Sequence, residues 1–417
     1  MESIFPPLVA LLLAAVYFYR WASTPATPTP TLLKTTPPES QANPEQTVTK
    51  EPDLPTDWLT SPAIFELEKR AIFSKQWLPL ALTPLFTKPG TYITSTPAGI
   101  PLFLIKSKDG QIRAFHNVCR HRAYPVTRPG RESGCSTVLS CRYHGWSYDS
   151  YGKLIKAPKF DGVQGFEKSA NGLFGVRVNV SGGVVWANLS TGVEGGEPDM
   201  KKDETANGLG VDVGGSAWVG GGRLEGVFNW KMARETRTLP SRQCSFIQTV
   251  LGSFLWQRES KPRSAFLFPN MFLFTMPSSQ DWISLNILPL SERTTSVRYD
   301  LCSSSPEKAN EEGSRALLSS LEERIKTLIS ELETKCQSGN SNFTSRLSEL
   351  DIESSNKQAR ILDYLKEHFR LEKIHGEEIY PAKREPRIHK RYEQAEQLCK
   401  ELECIGGGSD GLNSLAW

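Results

Sequence analysis

Between residues 117 and 146 the chain reads NVCRHRAYPVTRPGRESGCSTVLSCRYHGW, which sets Cys119-x-His121 and Cys141-x-x-His144 on either side of residues 122–140. Two thiolates and two imidazoles suit either one tetrahedral zinc or a [2Fe–2S] centre with both thiolates on one iron and both imidazoles on the other. Zinc sites usually take their nearest pairs as C-x2–4-C or H-x3–5-H. Here each segment supplies one thiolate and one imidazole, the distribution that a two-iron split requires. Any fold for this chain must therefore bring two loops face to face.

The rest of the sequence bounds the setting. At 417 residues there is room for two domains plus tails, and Lys+Arg 49 against Asp+Glu 46 leaves +3, too small a balance for the basic field that nucleic-acid binding relies on. Nucleic acid is therefore not an expected partner. The eight cysteines are too sparse for a secreted disulfide scaffold, so reduced thiols or metal ligands are expected. Cys135 reads as an ordinary thiol, and Cys244, Cys302, Cys336, Cys399 and Cys404 have no ligand spacing.

Ile4 to Tyr19 is free of charge and closed by Arg20 and Trp21. It is expected to anchor residues 1–21 in a membrane as a single pass, with everything after Arg20 in the cytosol; a cleaved secretory peptide is the competing reading. Sequons at Asn179, Asn188 and Asn342 oppose that topology on paper. Residues 22–55, rich in Pro and Thr, read as a tether. Residues 56–191 read as a first domain, with Ser61 capping a helix and TYITSTP, PLFLIKS, IRAFHNV and Val184 to Leu189 forming antiparallel strands. The Gly-rich residues 192–222 read as a linker or surface insertion. Residues 223–405 read as a second domain, before a tail at 406–417. Its strands are expected at Ala265 to Met276, Trp282 to Leu290 and Thr295 to Leu301. Leu318, Leu321, Ile325, Leu328 and Leu332 then mark a helix lying on a sheet. Phe266, Phe268, Phe272 and Phe274 recur at strand period and read as core.

The loops CRHR and CRYHGWSY, preceded by AFHNV and followed by Gly152-Lys153-Leu154, resemble Rieske [2Fe–2S] proteins, specifically the oxygenase branch that includes choline monooxygenase and the ring-hydroxylating alpha subunits. The resemblance implies an α+β chain: an all-β Rieske domain followed by a helix-grip-like α/β oxygenase domain, here with the N-terminal transmembrane anchor. It implies Cys119 and Cys141 on a buried iron, His121 and His144 on an outer iron, and the hydroxyls of Ser147 and Tyr148 near the cluster sulfurs. It also implies a reductase as electron donor, a homo- or hetero-oligomer and a small-molecule substrate.

Phe228-Asn229-Trp230-Lys231 is similar to the segment that opens the iron-bearing helix of that branch, where a carboxylate and two histidines follow and a distant carboxylate completes a site for mononuclear Fe(II). This chain departs from the pattern. After Glu235 it reads TRTLPSRQCSFIQTVLGSFLWQ, and no histidine lies between His144 and His368. Asp363 falls roughly where the distant carboxylate would, while His368 and His375 read as residues of a solvated helix face. Two functions are thus expected: a membrane-anchored Rieske oxidoreductase passing electrons from a reductase towards dioxygen activation, or a Rieske electron-transfer or cluster-binding protein whose mononuclear iron site is lost.

Overall fold

The computed structural model describes residues 54–55, 57–160, 163–190, 210–234, 264–276, 280–305, 312–337 and 352–380. The stretch Ile4 to Tyr19 lies outside them. Among the described residues no helix is long and apolar enough to cross a membrane. The single-pass membrane location with a cytosolic domain is corrected on that finding. The expectation rests on an apolar run with basic residues after it, and a run of this length reaches only about 24 Å as a helix against about 30 Å of hydrocarbon.

Among the described residues regular structure begins at Ser61, whose hydroxyl accepts the Ile64 N–H at 3.5 Å and caps α1 (Pro62–Glu68). Pro62 sits in the first turn, where its missing N–H costs nothing. A π-helical turn, Lys69–Phe73, then carries Ile72 and Phe73 into the core. The chain continues through β1 (Leu78–Leu82), β2 (Thr91–Ser95), β3 (Leu102–Lys106), β4 (Ile112–His116), β5 (Ser133–Cys135), β6 (Val138–Ser140), β7 (Ser147–Asp149), β8 (Leu154–Lys156), β9 (Gly175–Ser181) and β10 (Val184–Asn188). Seven of these form one antiparallel sheet in the order β1-β10-β9-β4-β3-β2-β5, and β6-β7-β8 form a small sheet of their own.

The middle of the large sheet is covered on both faces. Along β3, Leu102 and Leu104 join the main core, while Phe103 and Ile105 join a second core built around Cys119, Cys141, Trp146 and Tyr148. The same alternation sends Ile93 and Ala114 one way and Tyr92 and Phe115 the other. A strand side chain changes face at every residue, so burial on both faces produces the unbroken apolar run PLFLI.

A second antiparallel sheet, in the order β11-β15-β14-β13-β12, comprises β11 (Ala217–Gly226), β12 (Ser264–Leu267), β13 (Met271–Thr275), β14 (Asp281–Pro289) and β15 (Thr295–Ser303). Two long helices follow, α2 (Glu312–Gln337) and α3 (Ile352–His375). Two sequence expectations are corrected here. The end of the Gly-rich stretch is not linker but the first half of β11. A Cβ at Gly220 would stand 2.5 Å from the Leu318 side chain of α2, and one at Gly221 would stand 2.4 Å from the Tyr299 carbonyl, so glycine serves close approach rather than flexibility. The supposed single strand from Ala265 to Met276 is a hairpin, turning at Phe268–Asn270, in which Phe266 faces Phe272 across the ladder with ring centroids 4.6 Å apart. Helix α2 lies on the sheet as expected, with Leu321, Ile325, Leu328 and Leu332 buried.

Polar ties bind the two sheets together. The bulge between Pro79 and Ala81 in β1 leaves carbonyls unpaired, and the side-chain amides of Asn270 and Asn286 donate to Pro79 O at 3.0 Å each, Asn286 also to Leu80 O at 3.2 Å. Glu68 in α1 accepts from Trp230 Nε1 at 2.7 Å and from the ammonium of Lys231, all three being buried. Lys231 also lies over the Trp58 ring at 4.3 Å. Glu132 meets Arg223 at 3.6 Å and Arg298 at 4.0 Å.

Helix α3 closes back on the π-helical turn, where the Arg70 guanidinium donates to both Glu372 oxygens at 2.6 and 3.1 Å. His368 is not on a solvated face: it is 2% exposed, with Nε2 3.1 Å from Glu372 Oε1. The polar stripe docks because Arg70 supplies a buried counter-charge to Glu372. His375 and Asp363 are exposed.

Two outcomes follow from these buried charges. Glu68→Gln or Lys231→Met alone should lower unfolding free energy by about 3–5 kcal/mol, and a Glu68→Leu/Lys231→Met double variant should recover most of it, as read by urea denaturation. Burial, then the cations Lys75 and Arg70, hold the His368 imidazole below its usual pKa, and nearby Glu372 only partly opposes them. On acidification the unfolded chain is therefore protonated first. The stability contributed by neutral His368 should be complete above about pH 6.5 and decline below it towards the depressed folded-state pKa. His368→Gln should flatten this part of the stability-pH curve; an unchanged slope would count against it.

Candidate cluster site

The two sequence segments fold into loops closed by the same hydrogen bonds. In the first, Cys119 N–H donates to Tyr124 O at 2.8 Å and Ala123 N–H to Cys119 O at 3.0 Å. In the second, Cys141 N–H donates to Trp146 O at 2.8 Å and Gly145 N–H to Cys141 O at 2.9 Å. Each loop reverses through a left-handed residue four positions after its cysteine: Ala123 at φ 53 and Gly145 at φ 71. Asn117 locks the first loop from below, its carbonyl oxygen accepting the N–H groups of Val126 and Thr127 at 3.0 and 3.1 Å and its amide donating to Thr127 Oγ1 at 2.7 Å. The sequence reading took Asn117 only as a flank of the motif; an Asn two residues before a ligand cysteine is the signal that could have found it.

The four candidate ligands meet as two pairs, thiol with thiol and imidazole with imidazole. Cys119 and Cys141 are buried, and the rings of His121 and His144 stand 4.6 Å apart at 71°. The surroundings of the imidazoles differ. His121 stacks on Trp146 at 5.1 Å and meets the edge of Phe160 at 5.3 Å, whereas His144 lies against Tyr143 and is exposed. Burial and the nearness of His144 and Arg122 push the His121 pKa down, so its imidazole is neutral with a lone pair available. Burial raises the Cys141 thiol and nearby Cys119 adds to this, while backbone N–H groups of Tyr143 and His144 pull the other way. Tyr148 is fully buried; its oxygen accepts the Arg120 N–H at 3.0 Å and lies 3.3 Å from Cys119 Sγ. Burial raises that phenol far above its usual range, so it keeps its proton and can donate it to sulfur. Ser147 instead shares hydrogen bonds with Ser140 at 2.8 Å and the Gly145 carbonyl at 3.0 Å.

This donor set fits a [2Fe–2S] cluster. It offers two buried thiols side by side, two facing imidazoles, backbone N–H groups aimed at sulfur, and a buried His121 Nδ1 with no hydrogen-bond partner, an atom that a metal would satisfy. A mononuclear iron site is not assembled from the described residues: no three His, Cys, Asp or Glu groups among them converge on one ion. Asn229-Trp230-Lys231 opens a short 3-10 turn and serves the Glu68 tie, and Glu235 lies outside the described residues. Cys135 is an exposed free thiol, as expected of an ordinary cysteine.

Residues 76–167 match the Rieske [2Fe-2S] domain. The carnitine monooxygenase oxygenase subunit of Acinetobacter baumannii is 32% identical over 136 residues, 33% of this chain and 36% of that protein. The chloroplastic choline monooxygenase of Spinacia oleracea is 33% identical over 142 residues, 34% and 32% of the two chains. The biphenyl dioxygenase subunit alpha of Paraburkholderia xenovorans is 31% identical over 191 residues, 42% and 40% of the two chains. These matches span well under half the length of the curated relatives. The fold reaches further: the quaternary ammonium Rieske monooxygenase CntA, solved with L-carnitine, superposes with a TM-score of 0.58 at 22% identity over 69% of this chain and 85% of that one. The chain carries a Rieske domain and is a relative of the Rieske oxygenases, with an α+β fold like theirs.

The matched loop closures make their turn residues unequal. Gly145→Ala should cost about 1–2 kcal/mol for the left-handed backbone, read as a lower urea midpoint. Ala123→Gly removes such strain and should leave the midpoint unchanged or raised.

Proposed function

We propose that this chain works as an oxidoreductase of the Rieske oxygenase class, its cluster held by Cys119 and Cys141 on one iron and by His121 and His144 on the other, with electrons supplied by a reductase. The observation that carries this reading is the pair of identically closed loops, which set two buried thiols beneath two facing imidazoles. When bound, the cluster supplies one-electron transfer. The protein's own part is to keep His121 neutral and clamped between aromatic rings, to hold the thiols out of water, and to direct the Tyr148 hydroxyl at the Cys119 sulfur. By family, a mononuclear Fe(II) would supply dioxygen chemistry on a small-molecule substrate within an oligomer, but the described residues do not assemble a ligand set for it.

The second reading, a cluster protein without that iron, is favoured by one observation. The sequence offers no histidine between 144 and 368, and His368 is buried beside Arg70 and Glu372 while Asp363 is exposed. Iron counted per chain after anaerobic reconstitution separates the two: three for the oxygenase, two for the cluster alone.

The cluster assignment is tested by electron paramagnetic resonance. The reduced protein should show the low average g value of mixed thiolate and imidazole ligation, and His144→Ala should abolish it. Zinc as the only bound metal would falsify the assignment. Tyr148→Phe should keep the signal and lower the midpoint potential by roughly 40 mV, the one-electron equivalent of a hydrogen bond worth about 1 kcal/mol.

A further inference from the structure

Beside the cluster loops lies a hollow of about 460 Å³, within the size range of small-molecule sites. Its floor is apolar and buried: Tyr92, Val126 and Leu139 are each at most 5% exposed. Arg128, Arg131 and Arg142, all exposed, also line it. Among the described residues no acidic residue lines the hollow, and none of the three arginines forms an ion pair with another described residue. The neighbouring carboxylate, Glu132, is already committed to Arg223 and Arg298. The arginines elsewhere that hold structure, Arg70 and Arg298, each have a carboxylate partner.

We propose that this hollow is a binding site for a small organic polyanion, with carboxylate or phosphate-ester oxygens on the arginines and a carbon body on the Tyr92, Val126 and Leu139 floor. The argument is one of complementarity. Guanidinium is the planar fork that pairs bidentately with carboxylate and phosphate, and three such forks with no counter-charge among the described residues set up a local positive field that favours an anion. A bare inorganic ion would answer the arginines but leave the floor wet, so the occupant needs apolar atoms as well. The site stands apart from the four cluster ligands. It borders them closely, since β6 in its wall ends at Ser140 and Arg142 follows Cys141.

The test uses the full chain with its cluster reconstituted, titrated calorimetrically at low ionic strength with citrate, phenyl phosphate and inorganic phosphate. Citrate and phenyl phosphate separate the carboxylate from the phosphate-ester source. At least one of them should bind one per chain, about tenfold tighter than inorganic phosphate. Arg128→Gln/Arg131→Gln, which leaves the ligand loops untouched, should weaken that binding about tenfold or more. Should the variant fail to fold, the unaltered chain still decides. Arginine modification by phenylglyoxal, mapped on peptides, should be slowed at Arg128, Arg131 and Arg142 by the bound probe. Absence of binding by both organic probes, equal binding by the variant, or modification unaffected by the probe would overturn the proposal.

Discussion

Strands β2, β3 and β4 must bury both of their faces, and much of the architecture answers that demand. One face packs into the core shared with the second sheet. The other would put Tyr92, Phe103, Ile105 and Phe115 into water unless something covered it, and the cover is made of the two cysteine loops with Trp146, Tyr148 and Leu154. The candidate ligands are thus structural members of a hydrophobic core as well as candidate chemical groups. Because Cys119 and Cys141 are buried within that core, metal binding and the folding of this face are linked: whatever holds the loops closed also keeps Phe103 and Ile105 dry.

That double role explains what could be read from the sequence and what could not. Local rules sufficed where the determinant is local: the Ser61 cap, the alternation in TYITSTP, the leucine spacing of α2, and above all the Cys-His frame, which marked out the segment that matches the Rieske domain. They failed where the determinant lies far along the chain. Gly220-Gly221-Gly222 has the composition of a linker, and only the approach of Leu318 and Tyr299 makes glycine a requirement of a strand there. His368 sits in a helix of mostly polar residues, and only Arg70, which pairs with Glu372 one turn further on, draws that stripe inward. The aromatic run Phe266 to Phe274 has strand period throughout, so periodicity could not show that it folds on itself at residues 268–270.

The cluster site is asymmetric in a way that bears on electron flow. His121 is held between Trp146, Phe160 and the other imidazole, in surroundings that favour its neutral form. His144 has Tyr143 and the edge-on His121 ring against it and faces outward. Electron transfer falls off with distance through intervening matter, so on the proposed ligand set the exposed imidazole would be the shorter way in and out, and the half-buried His121 the anchor that fixes geometry. The Tyr148 hydroxyl lies at the opposite end, on the thiol side, where a hydrogen bond to sulfur would stabilise the more negative reduced state of a bound cluster.

The interior of the described structure also constrains where a second metal could draw its charge. Its buried acids are Glu68, Asp300 and Glu372, and each is already balanced: Glu68 by Lys231, Asp300 by Arg298 at 2.9 Å, Glu372 by Arg70 at 2.6 Å. Recruiting Glu68 to a ferrous ion would take the carboxylate from buried Lys231, a cost of about 3–5 kcal/mol before any metal bond is counted, and recruiting Asp300 or Glu372 would leave Arg298 and Arg70 with only the more distant Glu132 and Glu378. These pairs moreover hold α1 to the 230–234 turn, fix the β15 face, and dock α3, so releasing one would loosen the elements that a metal site needs rigid. A carboxylate for mononuclear iron therefore has to come from outside this balanced set.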